Sequence, residues 1–526
     1  MAGTPSFHDY RTKPQIGRDV ENRLLTHFFD RGALRRLPPD ERLSGVRRLL
    51  LGMQHGQVPA PPWLKIPPAT LKKLLPTLIS LAPDANELDL DDHDLSFYQS
   101  LTNGASGFWA TIDDADTLVL TDPIEVAKTL GASPDAYGPS SQQQEGMSAF
   151  QPQAVAMTLP GQDFERRRVI NTDVLATDQR VHRLTADFLA NTEEAFGAIE
   201  HAGASGALNW AAIDDSALQI TKLSVWGHRE SPFPNDLDAL MKAANLRPLL
   251  TKLRRSSHRQ LIYAVLPFLP EPIRRRLTPS NDARDRFLRA MAEAVPNAPA
   301  ESLAGELAKH PGFERDAVEA AGQMPHWMFA MRGTVAVHTA YALVLLAIEP
   351  ELERNVVDAL IAAGGPAALR DPDTFADRRL DLLEKVIFEA GRLYPAVPMI
   401  TRNVALPPIA ETRIMVLNAL NHRLEKFSGR APHASNPWRW RSRDSSELPT
   451  IASTGVALPL FGGGRKACPG RNIALVLTKA LIGHVLLRFA LRSVHNASHP
   501  HIARLDREKL PITYDQFGLS ISVSAR

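Results

Sequence analysis

A chain of 526 residues, 44% hydrophobic and 22% charged, carries enough apolar material for a sizeable buried core and reads as one large globular, mainly helical protein. Its formal net charge of +2, with no basic stripe interleaved with aromatics, speaks against nucleic acid as a partner. A single cysteine excludes an internal disulfide, a four-cysteine zinc site and an iron–sulfur cluster, and makes a reducing cytoplasm the simplest location.

At the N-terminus, "MAGTPSFHDYRTKPQ" lacks the apolar core of a signal peptide. No run approaches the roughly 20 apolar residues that cross a bilayer, so a soluble protein with no membrane span is expected. Residues 1–84 read as a basic helical N-terminal extension. Apolar residues recur there at helical spacing until "PAPPWLKIPP" interrupts them, and residues 1–75 hold thirteen Lys+Arg against six Asp+Glu. Such a stripe is a solvated face first and a docking face for an acidic partner or membrane surface second. The main domain is expected over 85–526.

Within that domain, "GFWATIDDADTLVLTDP" (107–123) predicts two short strands about a turn, with a helix following in "IEVAKTLG". "GQDFERRRVIN" is an arginine-rich helical segment, after which helical periodicity dominates. "DAVEAAGQMPHWMFAMRGTVAVHTAYALVLLAIEP" predicts a long core helix kinked at Pro325. "PDTFADRRLDLLEKVIFEAGRLYPAVP" predicts a helix with Leu380, Leu383, Ile387 and Ala390 on one side, where Glu389 and Arg392, three apart, can meet. "NVALPPIAETRIMVLN" (403–418) and the C-terminal "LSISVSAR" are strand candidates, and "HASNPWRWRSRDSSELPT" (433–450) reads as a long surface loop. His495, His499 and His501 fit no regular zinc spacing and read as part of a polar loop.

The lone thiol, Cys468, lies in "PLFGGGRKACPGRNIALVL" (459–477). A ligand cysteine acts as thiolate and sits where positive potential lowers its pKa; Arg465 and Lys466 precede it and a helix start follows. The glycines at 462, 463 and 464 allow a tight turn and a close approach to a flat object.

Phe461, Gly464, Lys466, Cys468 and Gly470 resemble the haem-thiolate signature of the cytochrome P450 superfamily, which usually has arginine where this chain has Lys466. The resemblance implies a mainly α fold with a small β region, a helical prism around haem b, with Cys468 as axial ligand of the iron. It extends to other segments. Glu389 and Arg392, 76 residues before the cysteine, are similar to the family's Glu-x-x-Arg motif, locked by a third residue that would be Arg439 in "NPWRW". Arg402 resembles a propionate-binding arginine. Phe164 and Arg168 are similar to a Trp-x-x-x-Arg motif with Arg168 as a further propionate partner, and Arg465 and Lys466 are the cations beside the cysteine.

On the long helix, Thr334 falls where the resemblance places the oxygen-side threonine. The local motif is Ala330-Met331-Arg332-Gly333-Thr334, in which methionine and glycine replace the usual glycine and acid, so proton delivery must use water, the substrate or another side chain. Arg332 also resembles the substrate-carboxylate-binding arginine of the peroxide-using branch. The implied function is oxygen insertion into a mostly apolar small molecule, with thiolate donation favouring O–O cleavage. Electrons would come from NAD(P)H through a ferredoxin or flavodoxin and its reductase, docking on the cysteine side where Arg465 and Lys466 contribute charge. Met328, Met331, Arg332, Ala396, Val397, Met399 and Ile400 are the expected substrate lining. Three readings stay beside it: a peroxide-driven or isomerising haem-thiolate enzyme, a non-catalytic haem or gas-sensing module, and a haem-free helical scaffold.

Overall fold

The computed structural model describes residues 153–158, 161–229, 281–404, 413–428, 434–440, 460–496 and 518–526, with shorter pieces at 93–94, 107–112, 115–133, 137–139 and 509–510. The expected extension over 1–84, and with it the boundary at 85, lies outside the described residues, as do His499 and His501.

Six helices position the site: α1 (Pro123–Gly131), α2 (Gln162–Val174), α3 (Trp210–Trp226), α4 (Met324–Ile348), α5 (Asp381–Leu393) and α6 (Arg471–Arg488). α4 and α6 are apolar on nearly every side and therefore run through the middle of the core; only an interior helix can bury such a surface. α5 is amphipathic, with Leu383, Val386, Ile387 and Ala390 turned inward. α1 begins at Asp122, whose carboxylate accepts from the Ile124 and Glu125 amides, and α3 ends at Gly227 with φ 76°.

The strands are short: β1 (His93–Asp94), β2 (Gly107–Ile112), β3 (Ala115–Leu120), β4 (Tyr137–Pro139), β5 (Ala207–Asn209), β6 (Ile400–Val404), β7 (Arg413–Val416), β8 (Phe489–Asn496), β9 (Lys509–Leu510) and β10 (Leu519–Ala525). A five-stranded sheet runs β2-β3-β7-β6-β4, antiparallel except where β3 meets β7 with Thr117 opposite Arg413. It packs with α1 in a small core of its own through Val119, Leu120, Val126, Leu130 and Ile414. β5-β10-β8 form a second sheet, and β1 pairs with β9.

Three expectations change. Pro325 does not kink a helix: it sits in the first turn of α4, where its missing N–H costs nothing, and Ala317–Ala321 is a separate short helix. The stretch Ala317–Ile348 is long and apolar enough by composition to cross a membrane, although no such run was expected, and 78% of its most apolar window is buried within the protein. Finally, the expected surface loop contains a folded turn at Pro437–Trp440, because that segment supplies ligands to a buried carboxylate. His495 lies on β8, and no cluster of three metal-ligating side chains occurs among the described residues.

Candidate functional site

Cys468 sits in a loop closed by its own amide, which donates to the Phe461 carbonyl at 2.8 Å. Gly462 and Gly464 hold φ of 72° and 61°, which side-chain-bearing residues seldom adopt. At Gly464 a Cβ would come within 2.2 Å of the Leu130 carbonyl oxygen. The close approach that this glycine permits is thus to the C-terminal end of α1, rather than only to a flat ligand. Gly470, with φ −91°, is under no such constraint and leads into α6.

The Cys468 sulfur faces the Gly470 and Arg471 amides, and the nearest positive charges are Arg471 and Arg168. Burial outweighs all four influences and pushes the thiol up, not down. The expectation of a pKa lowered by Arg465 and Lys466 is corrected on both counts. Arg465 turns outward to pair with Glu165 and lies 5.5 Å from the Phe164 ring centroid. Lys466 turns inward. A metal ion would deprotonate a coordinating thiol regardless.

Lys466 Nζ donates to the carbonyls of Ala156 and Thr158, at 3.2 and 3.4 Å. Desolvation, with Arg402 nearby, lowers its pKa to about 7. Burial also lowers Arg402 to about 10; its Nη1 reaches the Thr401 carbonyl at 2.8 Å, while its buried Nε has no partner. Arg168 lies elsewhere: its Nη1 donates to the Ala467 carbonyl at 2.8 Å, and its charged neighbours are Cys468, Arg471 and Asp178. It braces the cysteine loop.

On α4 the expected site residues separate. Thr334 and Ala330 are half-buried and Gly333 is exposed, with open space where a side chain would stand. Arg332 points across to α3 and makes a bidentate pair with Asp214, at 2.9 and 2.6 Å. Met328 and Met331 are also in the packed core, the former with its sulfur 3.2 Å from the Trp226 indole nitrogen. Met328 and Arg332 thus contact α3 directly. Of the remaining expected lining residues Val397 is 50% exposed and Ala396, Met399 and Ile400 are half-buried; Phe329 on α4, not among those expected, is 45% exposed.

Glu389, Arg392 and Arg439 come together. Both Glu389 and Arg392 are fully buried and bond bidentately, at 2.7 and 3.0 Å, while Arg439 Nε reaches Glu389 at 3.1 Å. The Asn436 amide and the Trp440 indole complete the carboxylate's shell at 2.8 and 3.0 Å. Arg392 also donates to the carbonyls of His422 and Ala434, and Arg439 to those of Ser428 and Ala434.

The cytochrome P450 family model matches residues 239–510, just over half of the chain. The chain belongs to the cytochrome P450 family. Putative cytochrome P450 CYP13A3 of Caenorhabditis elegans is 25% identical over 235 residues, 42% of each chain. Cytochrome P450 714B1 of Oryza sativa subsp. japonica is 30% identical over 192 residues, 34% of each. The mitochondrial 25-hydroxyvitamin D-1 alpha hydroxylase of Rattus norvegicus is 27% identical over 177 residues, 32% of this chain and 34% of that one. The matched region thus spans well under half the length of these relatives. The structure of retinoic acid-bound cyanobacterial CYP120A1 matches with a TM-score of 0.59, covering 84% of this chain and 98% of that one, at 14% identity; the fold is shared.

The P450 family implies haem, and the residues of this P450 fit it. Arg402 is buried and Lys466 half-buried, the two cations repel, and no carboxylate among the described residues answers them, which is the arrangement a dianionic propionate edge would complete. The sulfur of Cys468, faced by two amides, would supply the ligand. Sequence reasoning missed Arg471, which bonds to the Cys468 carbonyl at 2.8 Å, and Asp214, which holds Arg332. It also missed Gln323 and Asn171, which bond to each other at 3.0 Å. Asp214 and Arg332 are 118 residues apart, and Asn171 and Gln323 are 152 apart, so local spacing carries no signal of those pairs.

Proposed function

We propose that this P450 is a haem-thiolate monooxygenase that inserts one oxygen atom from O2 into a mostly apolar organic substrate. The observation that carries this reading is the joint placement of one amide-faced cysteine with buried Arg402 and half-buried Lys466, two cations that no carboxylate among the described residues answers. When bound, haem supplies the redox chemistry of oxygen activation. Cys468 would be its axial ligand, and Arg402 and Lys466 would hold its propionates, Lys466 as a point charge where an arginine would give a fork. Arg168 and Arg471 hold the loop that carries the ligand.

On α4, Thr334 would hold a water or substrate hydroxyl at its Oγ1. Because Gly333 offers no acid, protons would arrive through water admitted at that exposed position. Phe329 and Val397 favour an apolar substrate. The peroxide-driven reading loses its support at Arg332, whose guanidinium is engaged by Asp214 and so is not presented to a substrate carboxylate. Electrons would come from NAD(P)H through a separate ferredoxin or flavodoxin and its reductase. Arg465, paired with Glu165, and the inward Lys466 add less charge to the docking face than the sequence implied.

The test is the absorption spectrum of the dithionite-reduced protein with and without carbon monoxide. Wild type is expected to give the strongly red-shifted Soret band of a thiolate complex, and Cys468→Ser to lose it. Well-folded wild type that binds no haem, or gives only a histidine-type band, would end this reading.

A further inference from the structure

Gln323, 1% exposed, lies immediately before α4, and all of its amide contacts are internal. Its Oε1 accepts from the Val155 amide at 3.1 Å and from Asn171 Nδ2 at 3.0 Å. Its Nε2 donates to the carbonyls of Gln153 at 2.8 Å and Glu319 at 3.1 Å. Asn171 is itself oriented, because the Trp327 indole donates to its Oδ1 at 2.6 Å and its Nδ2 reaches the Arg167 carbonyl at 2.7 Å. One side chain thus pins the backbone of segment 153–158 onto the start of α4 at two points.

The same segment presents the Ala156 and Thr158 carbonyls to Lys466 Nζ. Thr158 is held in addition by its hydroxyl, which donates to the Ala154 carbonyl and accepts from Arg167, each at 2.9 Å. A lysine ammonium is a point charge on a flexible stem and has no planar fork to orient it; the acceptors around it decide where the charge sits. Here those acceptors are backbone atoms of a segment whose position Gln323 sets.

We propose that Gln323 is a positioning residue which, through segment 153–158, holds the Lys466 ammonium at the anionic edge of the haem. This rests on the haem-binding reading above. Gln323, whose amide is engaged within the protein, acts through the two carbonyls.

The experiment uses the haem-loaded full chain as wild type, Gln323→Leu, Lys466→Met and the double variant. Two quantities are read: the rate of haem transfer to excess apomyoglobin and the reduction potential of the haem. Gln323→Leu is expected to speed haem loss by about five-fold, the factor that one net hydrogen bond is worth. It should also shift the potential in the negative direction, as Lys466→Met does, because both withdraw a positive charge. In the Lys466→Met background the Gln323 substitution should add nothing beyond two-fold or so, since coupled residues are not additive.

Full additivity in the double variant, or Gln323→Leu matching wild type in both readouts, overturns the proposal while leaving the haem reading intact. Wild type without a thiolate carbonyl band overturns both. If Gln323→Leu does not fold, Val155→Pro removes only the amide that donates to Gln323. Ala154, at φ −55° and ψ 135°, already has the conformation that precedes proline. The same non-additivity with Lys466→Met, at smaller amplitude, is expected there, and additivity overturns the proposal.

Discussion

Two buried groups of cations lie within this protein, and they are built in opposite ways. Around Glu389, two guanidiniums, an indole and a backbone amide share one carboxylate, and the remaining guanidinium donors go to carbonyls. Arg402 and Lys466, by contrast, repel each other; among the described residues their acceptors are carbonyls, and the Arg402 Nε has no partner. The first group is complete within the chain and therefore specifies structure; the second is the group that, in the function proposed above, the haem propionates would complete. Burial of charge alone does not separate the two roles. The presence or absence of the counter-charge does.

The difference predicts opposite responses to substitution. Glu389→Gln should be the most damaging, because it strands two buried guanidiniums; a loss of about 3–5 kcal/mol in urea unfolding is expected. A loss below about 1 kcal/mol would mean that the network is dispensable.

Next comes the fully buried His422, whose carbonyl holds Arg392 while its ring nitrogens have no partner. Burial, with the Arg392 and Arg423 charges nearby, pushes its pKa from 6.5 down to about 3. The native ring stays neutral while the unfolded ring takes up a proton below 6.5, so the unfolded state binds more protons and stability falls as pH drops from about 6.5 towards 3. His422→Phe should flatten this acid loss by about 1.4 kcal/mol per pH unit, measured as unfolding midpoints across that range. An unchanged slope would show that the ring is not excluded from water.

The smallest effect belongs to the second group. Arg402→Met should leave the stability of protein prepared without haem within about 1 kcal/mol of wild type, or raise it, because the repulsion and desolvation it relieves offset the one hydrogen bond to the Thr401 carbonyl that it removes. A loss as large as that of Glu389→Gln would erase the distinction between the groups.

What the sequence determined by itself are features written in short spacings. The hairpin at 107–120 and the helix after it show in alternation and an Asp cap, α5 in its apolar face, and the cysteine loop in its glycines and lone thiol. Glu389 and Arg392 are three residues apart on one helix, so their meeting follows from helix geometry. Tertiary structure alone decided the direction of each cation. Arg465 and Lys466 are neighbours, yet one reaches Glu165 on the surface and the other goes inward to Ala156. Arg332 found Asp214, 118 residues away, and Gly464 found the end of α1. A long side chain can reach several partners at little difference in local energy. Which one it takes is set by what the fold brings within hydrogen-bond distance, and that information is spread over segments hundreds of residues apart.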